Sequence, residues 1–171
     1  MSTLSADGVP NLAPHSFFTV ASAEPPVVQF TSVGTKDSLR NIRETGELVV
    51  HLAPRRLAEA VNDTGTDYPP QADEFDTAAL AGEPSRMVRP HRVADSPVAI
   101  ECVAAGEHSF GHSTVVFGRV VHLAVSRSVM ADDGLPDPTL LDPVSRLGRD
   151  QWGALGEVFS LRRKRYADLQ D

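Results

Sequence analysis

The stretch 114–125 is the longest β candidate in the chain, and it constrains the fold more than any other segment. Val115, Val116, Phe117, Val120, Val121, Leu123 and Val125 supply the branched and aromatic side chains that strands favour. Gly118 in its middle marks a bulge or a close backbone approach. Further strands are expected at 15–21, 26–32, 48–53, about 87–93, 98–105 and 157–162. Three short helices are expected between them. The first covers 35–46, with Thr35 as cap, Leu39 and Ile42 on one face and Gly46 as left-handed stop. The second starts at Pro54 and runs to about 62, and the third spans 74–81 behind the cap Asp73. Strands and helices do not alternate, which excludes a doubly wound parallel sheet. The chain reads as mainly β with α insertions, a largely antiparallel barrel.

With 171 residues, 41% of them apolar, the chain suits one domain with a buried core, expected over 1–171 with 163–171 as a polar tail. A net charge of −7 argues against nucleic-acid and anionic-membrane partners, which reward a basic face. The one basic run, Arg162 to Arg165, reads as a solvated end. No apolar run is long enough to span a membrane, and the opening residues lack the pattern of a signal peptide, so a cytoplasmic address is expected. The single cysteine, Cys102, lies in an apolar stretch and reads as a buried, inert thiol.

Chemistry is most legible in residues 31–38. A strand ends there, Gly34 permits a sharp turn, and a helix starts among hydroxyls and Lys36. Free N–H groups at a helix start, a lysine and hydroxyls from Thr31, Ser32, Thr35 and Ser38 make an anion site suited to one phosphate. The same pattern also describes a capped helix with a solvated lysine. The spacing is not that of a Walker A loop. Residues 11–18 combine small, polar and aromatic side chains just after the Asp7-Gly8 turn, so this strand can lie against a flat ring or simply send Phe17 or Phe18 into the core. His108 and His112 stand four apart without a third ligand nearby, so no metal site is expected. No G-x-S-x-G elbow is present, and the Asp73-Glu74 pair is explained by a helix start.

Taken in order, Asp7-Gly8-Val9-Pro10-Asn11-Leu12-Ala13-Pro14-His15-Ser16-Phe17-Phe18, Pro25-Pro26, Lys36-Asp37-Ser38-Leu39-Arg40-Asn41-Ile42, Thr45-Gly46-Glu47, Asp73-Glu74-Phe75, Ser96 to Cys102, Phe117 to His122 and Arg146-Leu147-Gly148 resemble the flavin reductase-like FMN-binding split barrels. The likeness runs over nearly the whole chain. It implies a Greek-key-like split β-barrel and a homodimer with FMN between subunits. It also implies a flavin reductase using NADH or NADPH, with a monooxygenase or other electron acceptor as possible partner.

The resemblance places the flavin phosphate near Thr31, Ser32, Thr35, Lys36, Asp37 and Ser38. The ring edge would lie against Asn11, Ala13, Pro14, Ser16 and Phe17, with Arg146 and Trp152 contributing from either subunit. Trp152 stands where a tyrosine is common. His112 falls near a histidine that some relatives carry before the long strand, implying a role toward nicotinamide. Relatives have an apolar strand with an Arg-Pro pair where this chain begins, so a first strand shortened at Met1 is expected. In such a protein the flavin does the chemistry, while the protein binds and orients it. Two other readings share the fold: an FMN electron carrier without catalysis, and a barrel holding a deazaflavin or haem.

Overall fold

Residues 1–169 are described by the computed structural model. In chain order the strands are β1 (Ser2–Leu4), β2 (Pro10–Leu12), β3 (Phe18–Ser22), β4 (Val27–Val33), β5 (Glu47–His51), β6 (Gly82–Glu83), β7 (Arg92–Val93), β8 (Val98–Phe110), β9 (Ser113–Val125), β10 (Val144–Arg146) and β11 (Trp152–Ala154). Helix α1 (Asp37–Thr45) follows β4, α2 (Ala58–Asp63) and α3 (Glu74–Thr77) follow β5, and α4 (Pro138–Leu141) follows β9.

Seven strands form one antiparallel sheet in the order β2-β1-β5-β8-β9-β4-β3. The edge strands β2 and β3 are nonetheless consecutive in the chain, joined only by residues 13–17. A flat sheet of this width would hold its edges roughly 29 Å apart, at ~4.8 Å per strand spacing. The chain from Leu12 to Phe18 reaches about 22 Å at most. The sheet therefore curls until its edges approach, giving a barrel that stays open along one seam.

Inside the curl Val28, Phe30, Leu48, Val50, Cys102 and Val116 pack against Leu39 and Ile42 of α1. That helix ends where Gly46, at φ 73°, donates its N–H to the Ile42 carbonyl over 2.8 Å. A second cluster joins Leu12 to Phe75, Leu80 and Val93, which holds α3 against β2. On the other face of β5 and β8, Val49 and Ala99 pack against Val88 of the segment 84–91. Glu101, fully buried, ties that segment down: its carboxylate accepts the backbone N–H of Arg86 at 2.9 Å and of Met87 at 2.6 Å.

Several expectations change in detail. The strand expected at 15–21 starts only at Phe18, because the residues before it span the seam. The strand expected at 87–93 shrinks to β7, since Glu101 rather than a neighbouring strand takes the amides of residues 86 and 87. Residues 157–162 form no strand, and the C-terminal part instead builds the small hairpin β10–β11. The third helix stops at Thr77, and Ala79 turns to φ 51°. Lys36, not Thr35, occupies the cap of α1, and no side chain caps it. Of the tail expected at 163–171, residues 170 and 171 lie outside the described residues.

Gly118 is a point of close approach. A Cβ there would stand 3.1 Å from Cys102 Cβ and 3.5 Å from Leu48 Cδ2, while the β8–β9 ladder carries its extra residues at Val121 of β9 and at Ala105 of β8. Burial and the adjacent Glu101 carboxylate push the Cys102 thiol up to about 12. Gly118→Ala is expected to lower stability by about 1–3 kcal/mol through overpacking, read as a drop in the urea midpoint at unchanged m-value.

Candidate functional site

The link that curls the sheet also forms one wall of a cleft. Its ends are fixed: Ala13 donates its N–H to the Met1 carbonyl at 3.0 Å, and Thr31 donates to the Phe17 carbonyl at 2.9 Å. Between them Ala13, Pro14, His15 and Ser16 face a cleft of about 370 Å³. Val50 to Ala53, at the end of β5 and just after it, also line the cleft, as do Arg146 and Trp152 of the β10–β11 hairpin. Leu12, Phe30 and Ile100 make the interior apolar.

Arg146 and Trp152 are register partners, and the guanidinium lies 5.4 Å from the indole centroid, a cation–π distance. Arg146 also donates to the Arg149 carbonyl at 3.2 Å. Both side chains reach the cleft of their own chain.

Two histidines line the cleft, and burial keeps both neutral. The His15 ring stands edge-on to Phe30, with centroids 4.7 Å apart, and its Nε2 lies 3.1 Å from Ser38 Oγ. Burial, then the terminal amine and the charge of Lys36, push His15 down to about 3. His51 Nε2 accepts the backbone N–H of Val93 at 3.1 Å, and burial holds this ring well below its ordinary value. His51 Nδ1 is buried without a partner.

Behind His15 runs a buried polar layer. The Asn11 amide donates to Thr3 Oγ1 at 2.9 Å and to Ser38 Oγ at 3.1 Å, and the Asn41 amide donates to the same Thr3 oxygen at 3.1 Å. Ser38 thus connects the cleft to the first turn of α1. At that turn Lys36 is exposed and makes no ion pair among the described residues. Asp37 is paired with Arg40 at 2.7 Å.

Of the residues singled out in the sequence, Ala13, Pro14, Ser16, Arg146 and Trp152 meet in the cleft. Asn11 and Ser38 lie in the polar layer behind it, both buried. Ser32 is buried too, its hydroxyl donating to the Gly34 carbonyl at 2.9 Å. Thr31 sits in β4 opposite Val115, and Thr35 is exposed on the turn before α1. Phe17 points outward at 66% exposure, and its neighbour Phe18 lines the cleft instead. His112 is an exposed turn residue of the β8–β9 hairpin, outside the cleft, and its carbonyl accepts the Gly34 N–H at 2.8 Å. His15 and His51 were not singled out as site residues. For His51 the one signal is a polar residue ending the apolar run Leu48-Val49-Val50.

An antiparallel sheet curled into a barrel with one open seam, and a cleft along that seam, define a split-barrel protein. Residues 1–141 match the family described as flavin reductase like domain, and the chain belongs to that family. An uncharacterised protein of Halalkalibacterium halodurans is 38% identical over 175 residues, spanning 95% of this chain and 83% of its own. The structure of nitrilotriacetate monooxygenase component B from Bacillus cereus superposes with a TM-score of 0.87 at 29% identity, covering 94% of this chain and 84% of that one. Flavoredoxin of Desulfovibrio vulgaris gives 0.85 at 25% identity, covering 94% and 86%. A Shewanella frigidimarina protein described as having a split barrel domain gives 0.88 at 20% identity, covering 95% and 83%, and supports the fold.

The neutral histidines set a pH dependence. Unfolding frees them to bind protons near their ordinary value of 6.5, whereas folded His15 resists protonation down to about 3. The unfolded state therefore binds more protons in that window, and stability falls as pH falls through it. Each such histidine contributes about 1.4 kcal/mol per pH unit at most. Urea unfolding between pH 7 and 4.5 is expected to show a shallower decline for His15→Gln than for the wild type.

Proposed function

We propose that this protein binds FMN in the cleft and acts as an NAD(P)H-dependent flavin reductase. The observation that carries this reading is continuity: an apolar cleft with a backbone wall leads through His15 and Ser38 to an uncapped helix start bearing Lys36. A flat, mostly apolar ring with a phosphorylated side chain matches both ends.

In this reading the backbone of Ala13 to Ser16 lines the ring edge, with Asn11 holding that strand in place from behind. Lys36 and the free N–H groups of the first α1 turn hold the phosphate, with Arg40 offsetting the charge of Asp37. Ser32 and Ser38 shape this end from within. Arg146 and Trp152 cover the ring and exclude water. The neutral His15 and His51 add no charge to the interior. FMN, once bound, supplies the redox chemistry, with a nicotinamide as hydride donor.

Likeness to a monooxygenase component supports a partner monooxygenase as recipient of the electrons. The same reading includes a homodimer in a cytoplasmic setting. The exposed apolar side chains Phe17, Val20 and Phe110, at 66%, 65% and 66%, support contact with a second copy.

The purified protein should show flavin bands in its visible spectrum, or acquire them with FMN. Those bands should bleach on anaerobic addition of NADH or NADPH. Bands that bleach only with a protein donor would favour an electron carrier, and failure to bind FMN would end the flavin reading. Lys36→Ala should weaken FMN by about 1.5–3 kcal/mol and leave riboflavin nearly unchanged, measured by equilibrium titration. Equal weakening of both would remove the phosphate from Lys36.

A further inference from the structure

Residues 155–165 follow β11 without forming a strand or helix, and every one of them is exposed. Val158, Phe159 and Leu161 stand at 54%, 72% and 84% exposure. A tail kept in solution by its own composition is polar. This one places Leu155, Val158, Phe159 and Leu161 within a short stretch and follows them with Arg162-Arg163-Lys164-Arg165. Apolar surface gathered in this way marks a segment that another surface covers.

The barrel has a matching uncovered face. Side chains of β4 alternate, with Val28, Phe30 and Ser32 turned into the core, so Thr31 and Val33 point outward. Across the ladders Val33 stands opposite Ser113, and Ser113 opposite Phe110. In the next row Thr31 stands opposite Val115, and Val115 opposite His108. Phe17 extends that row, its carbonyl accepting the Thr31 N–H at 2.9 Å. The His108 and Phe110 rings meet edge to face on this side, with centroids 4.6 Å apart. A solvated face of an antiparallel sheet is expected to be polar, yet Phe17, Val33 and Phe110 are all exposed here.

Within one copy the arm and the face leave each other uncovered, since Phe159 and Leu161 are exposed along with Phe17, Val33 and Phe110. Charge selects the body that brings them together. The whole chain carries −7 and the run 162–165 carries +4, so the remaining residues stand at −11. An acidic body attracts the run, whereas an anionic membrane or a nucleic acid repels the rest of the chain. A second copy offers the apolar face and the acidic body at once. Both elements also start beside the cleft: the arm leaves the strand of Trp152, and Phe17 adjoins Phe18, and both Trp152 and Phe18 line the cleft.

We infer that residues 155–165 form an exchange arm, whose apolar part covers the outer face around Phe17, Val33 and Phe110 of a second copy while its basic run rests on that copy's acidic body. The inference deepens the homodimer of the proposed function and rests on it. Exchange in a two-fold pair is reciprocal, so each dimer covers two arms and two faces.

Sedimentation equilibrium of the full chain tests this, with variants at exposed positions. Phe159→Asp with Leu161→Asp on the arm, and Val33→Asp with Phe110→Asp on the face, should each raise the dimer dissociation constant about a hundredfold. Raising the salt from about 0.05 M to about 0.5 M should weaken the wild-type dimer too, by screening the basic run. Cys102 is buried, so a nitroxide attached to Leu161→Cys marks the arm alone. Mixed with 15N-labelled wild-type chain, this spin-labelled chain should broaden the amide resonances of Val33 and Phe110 in its partner.

A dimer that survives both double variants within twofold and gives no such broadening overturns the arm and leaves the homodimer standing. A wild type that is monomeric at every concentration overturns arm and homodimer together, while FMN binding by that monomer keeps the flavin reading. Broadening found only when nitroxide and 15N share one chain would mean an arm folded on its own body, and would also overturn the exchange. Binding of a monomeric wild type to phosphatidylserine vesicles would overturn it in favour of a lipid surface. Should the Asp variants not fold, the broadening in the mixed sample decides alone.

Discussion

The five-residue link from Ala13 to Phe17 is the constraint on which the rest of the structure depends. It joins strands at opposite edges of a seven-stranded sheet, and chain length alone forbids that sheet to lie flat. Curling brings α1 over the interior face and gathers one apolar core. It also leaves a seam where backbone, rather than a ladder of side chains, borders an open space. The site is thus a by-product of closure, and the residues that limit the width of the barrel are the same ones that line its cleft.

A second dependence runs perpendicular to the sheet. Thr3, Asn11, Ser38 and Asn41 form a small buried hydrogen-bonded layer between β1, β2 and α1. Such a layer adds little net stability, but any displacement leaves unpaired polar groups, so it specifies one arrangement of helix against sheet. Ser38 belongs both to this layer and, through His15, to the cleft. The helix start with Lys36 is thereby held at a defined distance from the ring-sized space.

Much of this was legible in the sequence, and the reasons are local. Branched side chains around Gly118, the left-handed stop at Gly46 and the cap at Asp73 each depend on near neighbours. What the residues alone did not reveal depends on distant ones. Residues 86 and 87 look like part of a strand, yet their amides belong to Glu101. Phe17 and Phe18 are equivalent in composition, and only the point where β3 begins decides which one lines the cleft. His51 reads as a strand-end residue until Val93, 42 positions later, fixes its tautomer. Ser32 and Ser38 look like free hydroxyls beside a turn, but Ser32 shares the inward phase of β4 with Val28 and Phe30, and Ser38 is on the buried face of α1.

The burial of Cys102 against Gly118 has a chemical consequence beyond packing. With its titration pushed up to about 12, the one thiol of the chain is almost wholly protonated at neutral pH. Oxidants attack the thiolate, so a protonated and enclosed sulfur is a poor target for peroxide and for disulfide exchange. A flavoprotein that meets oxygen works beside such oxidants as a matter of course. Here the centre of the barrel offers such oxidants no thiolate to attack.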